Sequence, residues 1–230
     1  MDQTARMILL RSLPLFGGMP EARLQTLAAN ARATRYAPGA LLAVKEQAAD
    51  VFHCIATGQA KVYRAGPDGR EQTLFLLGPG EPFCLCTLVD SASFPAFAAA
   101  LAETLVLEFP TKALAEAIQD SPQAFTDLMR LMCGRFKEAM AMIESLALRD
   151  LPGRVAVFLL HEAGRALSGD LVRLSISQRE VAKIVGATPE ALSRALKKLA
   201  EAGHVVVRGR KIEIRDRAGL EAAAAGNTEG

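Results

Sequence analysis

The sequence is poor in the residues that most enzyme sites and disulfide scaffolds need. Its 230 residues include no Trp, two Tyr, three His and four Cys. Four cysteines are too few for a disulfide framework in a chain of this length, so we expect reduced thiols. The three scattered histidines suggest no Ser-His-Asp set, and no glycine-rich phosphate loop is present. These absences argue against an enzyme.

The sequence also lacks long apolar runs. Charged residues interrupt every run well before the roughly 18 residues that span a bilayer. The first 16 residues, MDQTARMILLRSLPLF, lack the long apolar stretch and small-residue cleavage site of a signal peptide. We therefore expect a cytoplasmic protein without a membrane partner.

The composition is that of a globular protein whose charge is unevenly distributed. Half of the residues are apolar and 23% are charged, which suits one large domain or two modest ones. Residues 149–217 hold 14 Lys and Arg against 8 Asp and Glu, a balance of +6. Residues 1–148 have a balance of −2. A basic back half hints at a polyanion such as nucleic acid.

Two kinds of local pattern divide the front half of the chain. Residues 6–33 are typical of short helices, whereas residues 34–109 alternate short apolar segments with turn signals. Pro67-Asp68-Gly69 predicts a hairpin turn, because Pro presets φ and Gly accepts a positive φ. Short strands at this spacing favour a sandwich or a barrel.

A long amphipathic helix is predicted after residue 120. Ser121 and Pro122 are typical of the N-cap and first position of a helix. Apolar residues then recur every three or four positions as far as Leu148. Such a helix either pairs with a copy of itself or lies on its own sheet.

Residues 176–203, ISQREVAKIVGATPEALSRALKKLAEAG, predict a helix-turn-helix unit. Ser177 and Glu180 suit a capping box for the first helix. Gly186 suits the turn, and Thr188 followed by Pro189 suits the start of the second helix.

The outward face of the second helix is the candidate DNA-contacting surface, because such residues meet base edges in the major groove. Arg194 has the donors to bind guanine, and Glu190 has the acceptor for cytosine. A basic hairpin at residues 205–214 would form a wing against the backbone. The alternative is the solvated face of an ordinary helical hairpin. The predicted DNA-binding residues are Ser177, Gln178, Thr188, Pro189, Glu190, Ser193, Arg194, Lys197 and Arg208.

The whole layout resembles the Crp/Fnr family of bacterial transcription regulators. The resemblance rests on Gly78-Pro79-Gly80-Glu81, the long helix, the hinge at 150–154 and the helix-turn-helix sequence. It implies an α+β chain: a cyclic-nucleotide-binding-like jelly-roll β-barrel (1–120), a dimerisation helix (121–149), a winged helix-turn-helix (150–217) and a disordered tail (218–230).

The resemblance also implies the partners: double-stranded DNA, a second copy of the chain and RNA polymerase. The pattern Glu190…Ser193-Arg194 resembles the Fnr-type recognition helix, which implies palindromic half-sites like TTGAT or TTGAC. Pro189 stands where the cAMP-receptor branch carries Arg, so one base contact of that branch is expected to be absent.

The residues that would bind known effectors of the family are missing. The Gly-Glu positions of the cyclic-nucleotide box fall on Cys84 and Leu85, and its Arg-Ser positions fall on Phe94 and Pro95. A phosphate against Phe and Pro would have its charge unpaired, so we expect no cAMP binding. The iron–sulfur branch needs clustered N-terminal cysteines, and the first here is Cys54, so we expect no iron–sulfur cluster.

Residues 93–101 and 145–154 resemble the nitrosative-stress branch, the dissimilatory nitrate respiration and hybrid-cluster-protein regulators. That branch implies nitric oxide sensing through haem, with His53, His161, His204, Met or Cys as open choices of ligand. A small apolar ligand or thiol redox chemistry at Cys84 and Cys86 stays an alternative, as does a ligand module without DNA binding. The cysteines themselves suit small buried hydrophobes. The expected effector pocket comprises Phe75, Leu77, Gly80, Phe83, Cys84, Cys86, Phe94, Pro95, Met132, Phe136 and Met140.

Overall fold

The computed structural model describes residues 2–13, 15–45, 51–84, 94–119, 121–165 and 169–226. The chain forms two compact units. The first comprises Met1–Gly69 with Leu74–Phe136, and the second comprises Arg70–Thr73 with Lys137–Gly230. The long predicted helix is thus divided between the two units rather than forming a separate one.

The first unit contains helices around a set of short strands. Its elements are α1 (Gln3–Ser12), α2 (Glu21–Asn30), β1 (Arg32–Tyr36), β2 (Leu41–Ala43), β3 (Val51–Thr57), β4 (Ala60–Ala65), the last four residues of β5 (Glu71–Leu77), β6 (Pro82–Phe83), β7 (Phe97–Ala100), β8 (Thr104–Pro110), α3 (Thr111–Gln119) and the first half of α4 (Pro122–Leu148).

The strands form a sandwich of two four-stranded sheets. One sheet has the order β1-β8-β3-β6 and the other the order β2-β7-β4-β5. No strand pairing in the described part of the chain links the two sheets. The prediction of a short-strand β domain is confirmed, but the barrel implied by the family resemblance is wrong, because the sheets stay open at their edges. The predicted turn at Pro67-Asp68-Gly69 is present, with Gly69 at φ 77°.

Strand alternation divides the first unit into two apolar cores. On β3, Phe52 and Cys54 face the helices, whereas Ile55 faces the opposite sheet. We call the cluster between sheet and helices the helix-side core and the cluster between the two sheets the sandwich core. The sandwich core comprises Leu42, Ile55, Ala60, Val62, Leu77, Phe83, Cys84, Phe94, Ala96, Ala98, Ala100 and Val106.

Helix α4 begins and ends where the sequence predicts. The Ser121 hydroxyl oxygen accepts a hydrogen bond from the Ala124 N–H at 3.3 Å, and Pro122 is the first helical residue. Ala124 and Leu128 are buried in the helix-side core. Six further apolar residues, at steps of three or four positions, form an exposed stripe on the single chain: Phe125, Met129, Met132, Phe136, Met140 and Ile143.

The second unit contains the rest of the chain around a three-stranded sheet of order β10-β11-β9. Its elements are the second half of α4, α5 (Leu151–Arg165), β9 (Leu171–Arg173), α6 (Gln178–Ile184), α7 (Pro189–Glu201), β10 (Val205–Arg208), β11 (Lys211–Ile214) and α8 (Arg217–Ala224). Strand β9 was not predicted from the sequence.

Two predictions about the second unit need correction. The hinge is shorter than expected: Arg149 and Asp150 alone separate α4 from α5, because Leu151 already begins α5. The predicted disordered tail from residue 218 is wrong for its first half, because α8 is ordered there and Leu220 is fully buried. No helix in the described ranges is both long enough and apolar enough to cross a membrane.

Candidate nucleic-acid interface and effector core

The first helix of the helix-turn-helix, α6, begins as predicted. The Ser177 hydroxyl oxygen accepts a hydrogen bond from the Glu180 N–H at 3.2 Å, which caps the helix. The Glu180 carboxylate accepts from Lys183 at 2.8 Å. Gly186 follows with φ 65°, a conformation that a residue without Cβ adopts at little cost. The turn between the two helices is therefore built as predicted.

Helix α7 combines a buried apolar face with an exposed polar face. The Thr188 hydroxyl oxygen accepts from the Ala191 N–H at 3.2 Å, and Pro189 is the first helical residue. Leu192, Leu196 and Leu199 are buried. The nine predicted DNA-binding residues are all exposed, on α7, at the start of α6 and in the wing: Ser177, Gln178, Thr188, Pro189, Glu190, Ser193, Arg194, Lys197 and Arg208.

The exposed face of α7 has a charged acceptor next to cationic donors. The backbone N–H and the Thr188 hydroxyl, followed by Arg194 and Arg179, hold the pKa of the Glu190 carboxyl below its usual value. Glu190 is therefore ionised at neutral pH and able to accept hydrogen bonds. Arg179 is a residue that the sequence analysis missed. The sequence did give one indication of its role, because Arg179 lies two positions after the N-cap of α6.

The predicted wing is present as the β10–β11 hairpin. Val205 pairs with Ile214, and Arg208 pairs with Lys211 across a turn at Gly209. Arg210 donates to the Ser175 carbonyl oxygen at 2.7 Å and to the Leu174 carbonyl oxygen at 3.2 Å. Arg210 thus fixes the hairpin to the segment between β9 and α6, whereas Arg208 is exposed at its tip.

The structure brings together about half of the predicted effector-pocket residues. Leu77, Phe83, Cys84 and Phe94 lie in the sandwich core, and Phe75 packs against it. Gly80 is buried in the adjoining loop. Pro95 is exposed and is not a member of the sandwich core. Met132, Phe136 and Met140 lie on the exposed stripe of α4, and Cys86 lies outside the described residues.

The sequence analysis also missed a charged residue at the edge of this core. An Arg135 guanidinium nitrogen lies 3.1 Å from a Glu81 carboxylate oxygen, and the guanidinium lies 5.3 Å from the centre of the Phe75 ring. The other Glu81 oxygen accepts from the Gly78 N–H at 2.6 Å. A cation thus joins α4 to the loop that contains the Gly-Pro-Gly-Glu sequence, within the first unit. An arginine next to the apolar stripe of α4 gave little signal in the sequence.

His53 is the buried histidine of the first unit. Its ring stacks on that of Phe83 with centres 4.7 Å apart. In the β3–β8 ladder, His53 lies opposite Glu108 on β8. Desolvation lowers the pKa of His53, against the opposing effects of Glu108 and the Val51 backbone. Its Nδ1 is buried and has no hydrogen bond of normal geometry among the described residues. His53 is therefore a neutral imidazole, and its buried Nδ1 lies close to the Val51 backbone without a hydrogen bond of normal geometry to any described residue.

Two hydroxyls hold the Glu108 carboxylate beside His53. The Tyr36 hydroxyl donates to one oxygen at 2.6 Å, and the Thr34 hydroxyl donates to the other at 2.9 Å. Burial, followed by the hydrogen bond to Glu108, raises the pKa of Tyr36 to about 12. Tyr36 therefore keeps its proton and holds Glu108 in place.

The remaining histidines and the cysteines have separate environments. His161 is exposed, and the His204 Nδ1 lies 3.1 Å from an Asp216 oxygen. Cys54 and Cys84 are buried, as expected of small hydrophobes, but Cys133 is exposed on α4. Burial raises the pKa of Cys54 to about 12, which makes its thiolate scarce at neutral pH. Within the described residues, no group of three or more His, Cys, Asp or Glu side chains could hold a metal ion.

Two family models match the chain. The cyclic nucleotide-binding domain matches residues 33–121, and the Crp-like helix-turn-helix domain matches residues 153–223.

Curated relatives and a solved structure agree with these matches. The "Fumarate and nitrate reduction regulatory protein" of Salmonella typhimurium is 30% identical over 183 residues, 77% of this chain and 72% of the relative. The "CRP-like cAMP-activated global transcriptional regulator" of Mycobacterium tuberculosis is 27% identical over 206 residues, 88% of this chain and 92% of the relative. The structure of FixK2 from Bradyrhizobium japonicum has 26% identity and a TM-score of 0.74, covering 84% of this chain and 96% of that one.

The two matched domains occur in the order that the fold has, with the sandwich first and the helix-turn-helix after it. The matched domains and relatives are those of transcription regulators, not of enzymes. This chain belongs to the Crp/Fnr family of transcription regulators.

Proposed function

We propose that this Crp/Fnr-type regulator, which has a DNA-binding and an effector-binding domain, acts as a homodimer on a palindromic operator. The operator half-sites resemble TTGAT or TTGAC, and the regulator acts there together with RNA polymerase. Its effector is nitric oxide, bound through haem, and not cAMP.

The exposed face of α7 is the main support for sequence-specific DNA binding. Glu190, Ser193 and Arg194 occupy its N-terminal half, which is the part of a recognition helix that reaches base edges. The wing and the lysines of α7 offer cations for phosphates. Because Leu192, Leu196 and Leu199 hold the opposite face in the core, the polar face is the one presented outward.

The exposed stripe of α4 supports a homodimer. Apolar side chains at steps of three and four residues are typical of helices that pair lengthwise. Phe136 is 68% exposed and Ile143 is 61% exposed on the single chain. A contiguous apolar face of this kind marks an interaction site, and a second copy of α4 offers it the same stripe. In a two-fold dimer, the two recognition helices meet half-sites one DNA turn apart.

The first unit offers one candidate ligand for the iron of haem, the imidazole of His53. Coordination requires a neutral imidazole, which the lowered pKa of His53 favours. Its Nδ1 is buried beside the sandwich core without a hydrogen bond of normal geometry in the described part of the chain. Haem would supply the iron that binds nitric oxide. The apolar side chains around His53 would exclude water from that iron, and the carboxylate of Glu108 would stay held by Tyr36 and Thr34.

DNA recognition is tested with Arg194→Ala. Because Arg194 offers a bidentate contact to guanine, the variant should lose about 1–3 kcal/mol of operator binding and discriminate less between bases. Fluorescence anisotropy with the palindrome and a scrambled duplex measures both effects. Arg35→Ala is the control, since Arg35 is an exposed arginine of the first unit paired with Glu103. Unchanged discrimination in Arg194→Ala would refute the assignment of Arg194.

Effector binding is tested by titrating the purified protein with haem and following its absorption. We expect saturable one-to-one binding, operator affinity that changes with nitric oxide, and a changed spectrum in His53→Ala but not in the exposed control His161→Ala. Diffuse partitioning of haem, or DNA binding indifferent to nitric oxide, would refute the haem proposal. Calorimetry with cAMP should give no saturable heat, and a micromolar affinity would contradict us.

A small apolar ligand is the second candidate effector. The sandwich core is apolar and includes three small side chains, those of Ala60, Ala98 and Ala100, which is the chemical character that such a ligand would need. Thiol redox sensing at Cys84 and Cys86 has less support, because Cys84 is buried in the sandwich core and reactive thiols are usually accessible. Cys86 lies outside the described residues. A ligand module without DNA binding is disfavoured by the polar face of α7.

A further inference from the structure

The C-terminal helix α8 is fixed at both of its ends. At its start, the Asp216 carboxylate accepts from the Gly219 N–H at 2.9 Å and lies 3.1 Å from the His204 Nδ1. Arg217 donates to the Asp170 carboxylate at 2.6 and 3.1 Å. Asp216 lies two residues after the end of the wing strand β11. The start of α8 is therefore tied to the wing.

The end of α8 is held by the hinge. The Arg149 Nε donates to the Ala224 carbonyl oxygen at 2.6 Å, and its Nη2 donates to the Glu144 carboxylate on α4 at 2.7 Å. A cation at this position also complements the negative end of the helix dipole. One side chain therefore connects the last turns of α4 and α8.

The first turn of α5 leaves no space beside α8. A Cβ added at Gly153 would lie 3.0 Å from the Ala223 carbonyl oxygen and 3.0 Å from an Asp150 oxygen. That Asp150 oxygen also accepts from the Gly153 N–H at 2.9 Å, which caps α5. Leu220 and Ala223 of α8 are buried, and α8 packs against α5. The hinge is thus enclosed by α8 on the side where α5 begins.

We propose that α8 is a brace that fixes the hinge angle, and that Arg149 is a positioning residue for DNA binding that acts through it. The brace connects the wing at one end to the hinge at the other. Helices α6 and α7 and the wing, which carry the predicted DNA-contacting residues, therefore rotate together with α5. In a dimer, the hinge angle sets the separation of the two recognition helices. Arg149 therefore governs which half-site spacing is bound, not how a half-site is read. This inference rests on the proposed homodimeric DNA binding.

The test compares Arg149→Met with the wild type on a half-site duplex and on palindromes whose half-site spacing is changed by one and two base pairs. We expect half-site affinity within about twofold of the wild type, since no base contact is removed. The preference for the correct spacing should fall at least about fivefold, because a hydrogen bond from a charged group contributes that much or more. Arg130→Met is the matched control, since Arg130 pairs with Asp127 on the exposed surface of α4.

Amide hydrogen exchange supplies a reading that does not depend on DNA. Arg149→Met should exchange faster at residues 222–226, with the amides of β10 and β11 unchanged, whereas Arg149→Lys should recover part of the protection. Gly153→Ala crowds Ala223 without altering Arg149, so it should give the same loss of spacing preference even if Arg149→Met folds poorly.

Distinct results separate the brace from the proposed function. A wild type that prefers its operator, with unchanged spacing preference and unchanged exchange in both variants, would overturn the brace. A wild type that does not distinguish operator from scrambled DNA would overturn the proposed function and, with it, the DNA-positioning role of Arg149. Loss of half-site affinity equal to the loss of spacing preference would also overturn the role of Arg149.

Discussion

At the scale of single residues, the backbone of Cys84 is unusual. Its φ is 63°, the one positive value among the described residues other than glycine. The family resemblance implies that the glycine of the cyclic-nucleotide box falls on this position, where the present sequence has Cys84. The left-handed conformation is therefore present here without the residue that adopts it most easily, and a side chain buried in the sandwich core occupies it.

Cys84→Val tests this strain. A β-branched residue at positive φ is a severe outlier, so we expect a loss of about 1–3 kcal/mol in the free energy of unfolding. Cys54→Val is the control, since Cys54 is equally buried but lies in the regular strand β3, and it should lose clearly less. Urea unfolding measures both. Equal losses in the two variants would show that Cys84 carries no backbone strain.

The sequence predicted the residues whose role depends on their immediate neighbours. Ser121, Ser177 and Thr188 were identified as helix caps because a cap needs only a hydroxyl and the next turn of chain. Arg135 and Arg149 were missed because their partners, Glu81 and Ala224, lie 54 and 75 positions away in the chain. The φ of Cys84 was likewise invisible, since nothing about a cysteine indicates it.

At the scale of elements, α4 has the exposed apolar face that the proposed homodimer requires. Ile143→Glu places a charge in the middle of the apolar stripe, whereas Ala141→Glu places the same charge on another exposed face of the helix. Because burying an unpaired carboxylate is costly, we expect Ile143→Glu to be monomeric at concentrations where the wild type and Ala141→Glu are dimers.

Light scattering during size-exclusion chromatography measures these masses. Circular dichroism should report the same helix content in all three proteins. A dimeric Ile143→Glu, or a wild type that stays monomeric at high concentration, would contradict pairing through this stripe.

Element prediction succeeded where a periodic pattern was long. The 27 residues of α4 repeat their apolar positions over several turns, and both helices of the helix-turn-helix have caps and buried leucines. Strand β9 has three residues, too few for an alternating pattern, and exists because it pairs with β11. Helix α8 has an alanine-rich sequence that resembles a frayed end, and it is ordered by burial against α5. Both missing elements depend on contacts between distant parts of the chain.

At the scale of the whole molecule, the excess of positive charge lies in the DNA-binding domain. The balance of +6 falls on residues 149–217, the region that carries the helix-turn-helix and the wing. Family and domain order were predictable, because several motifs with specific spacing agree. The effector was not, because it depends on how side chains from separate strands meet in one core.

Binding of the palindromic operator and of a scrambled duplex, measured by anisotropy over a range of salt concentrations, tests the central claim most directly. We expect the operator to bind at least about 10³-fold more tightly than the scrambled duplex. Affinity for both should fall steeply and linearly on logarithmic axes as phosphate contacts are screened. Equal affinity for the two duplexes, or binding that does not respond to salt, would contradict the proposal that α7 and the wing bind DNA.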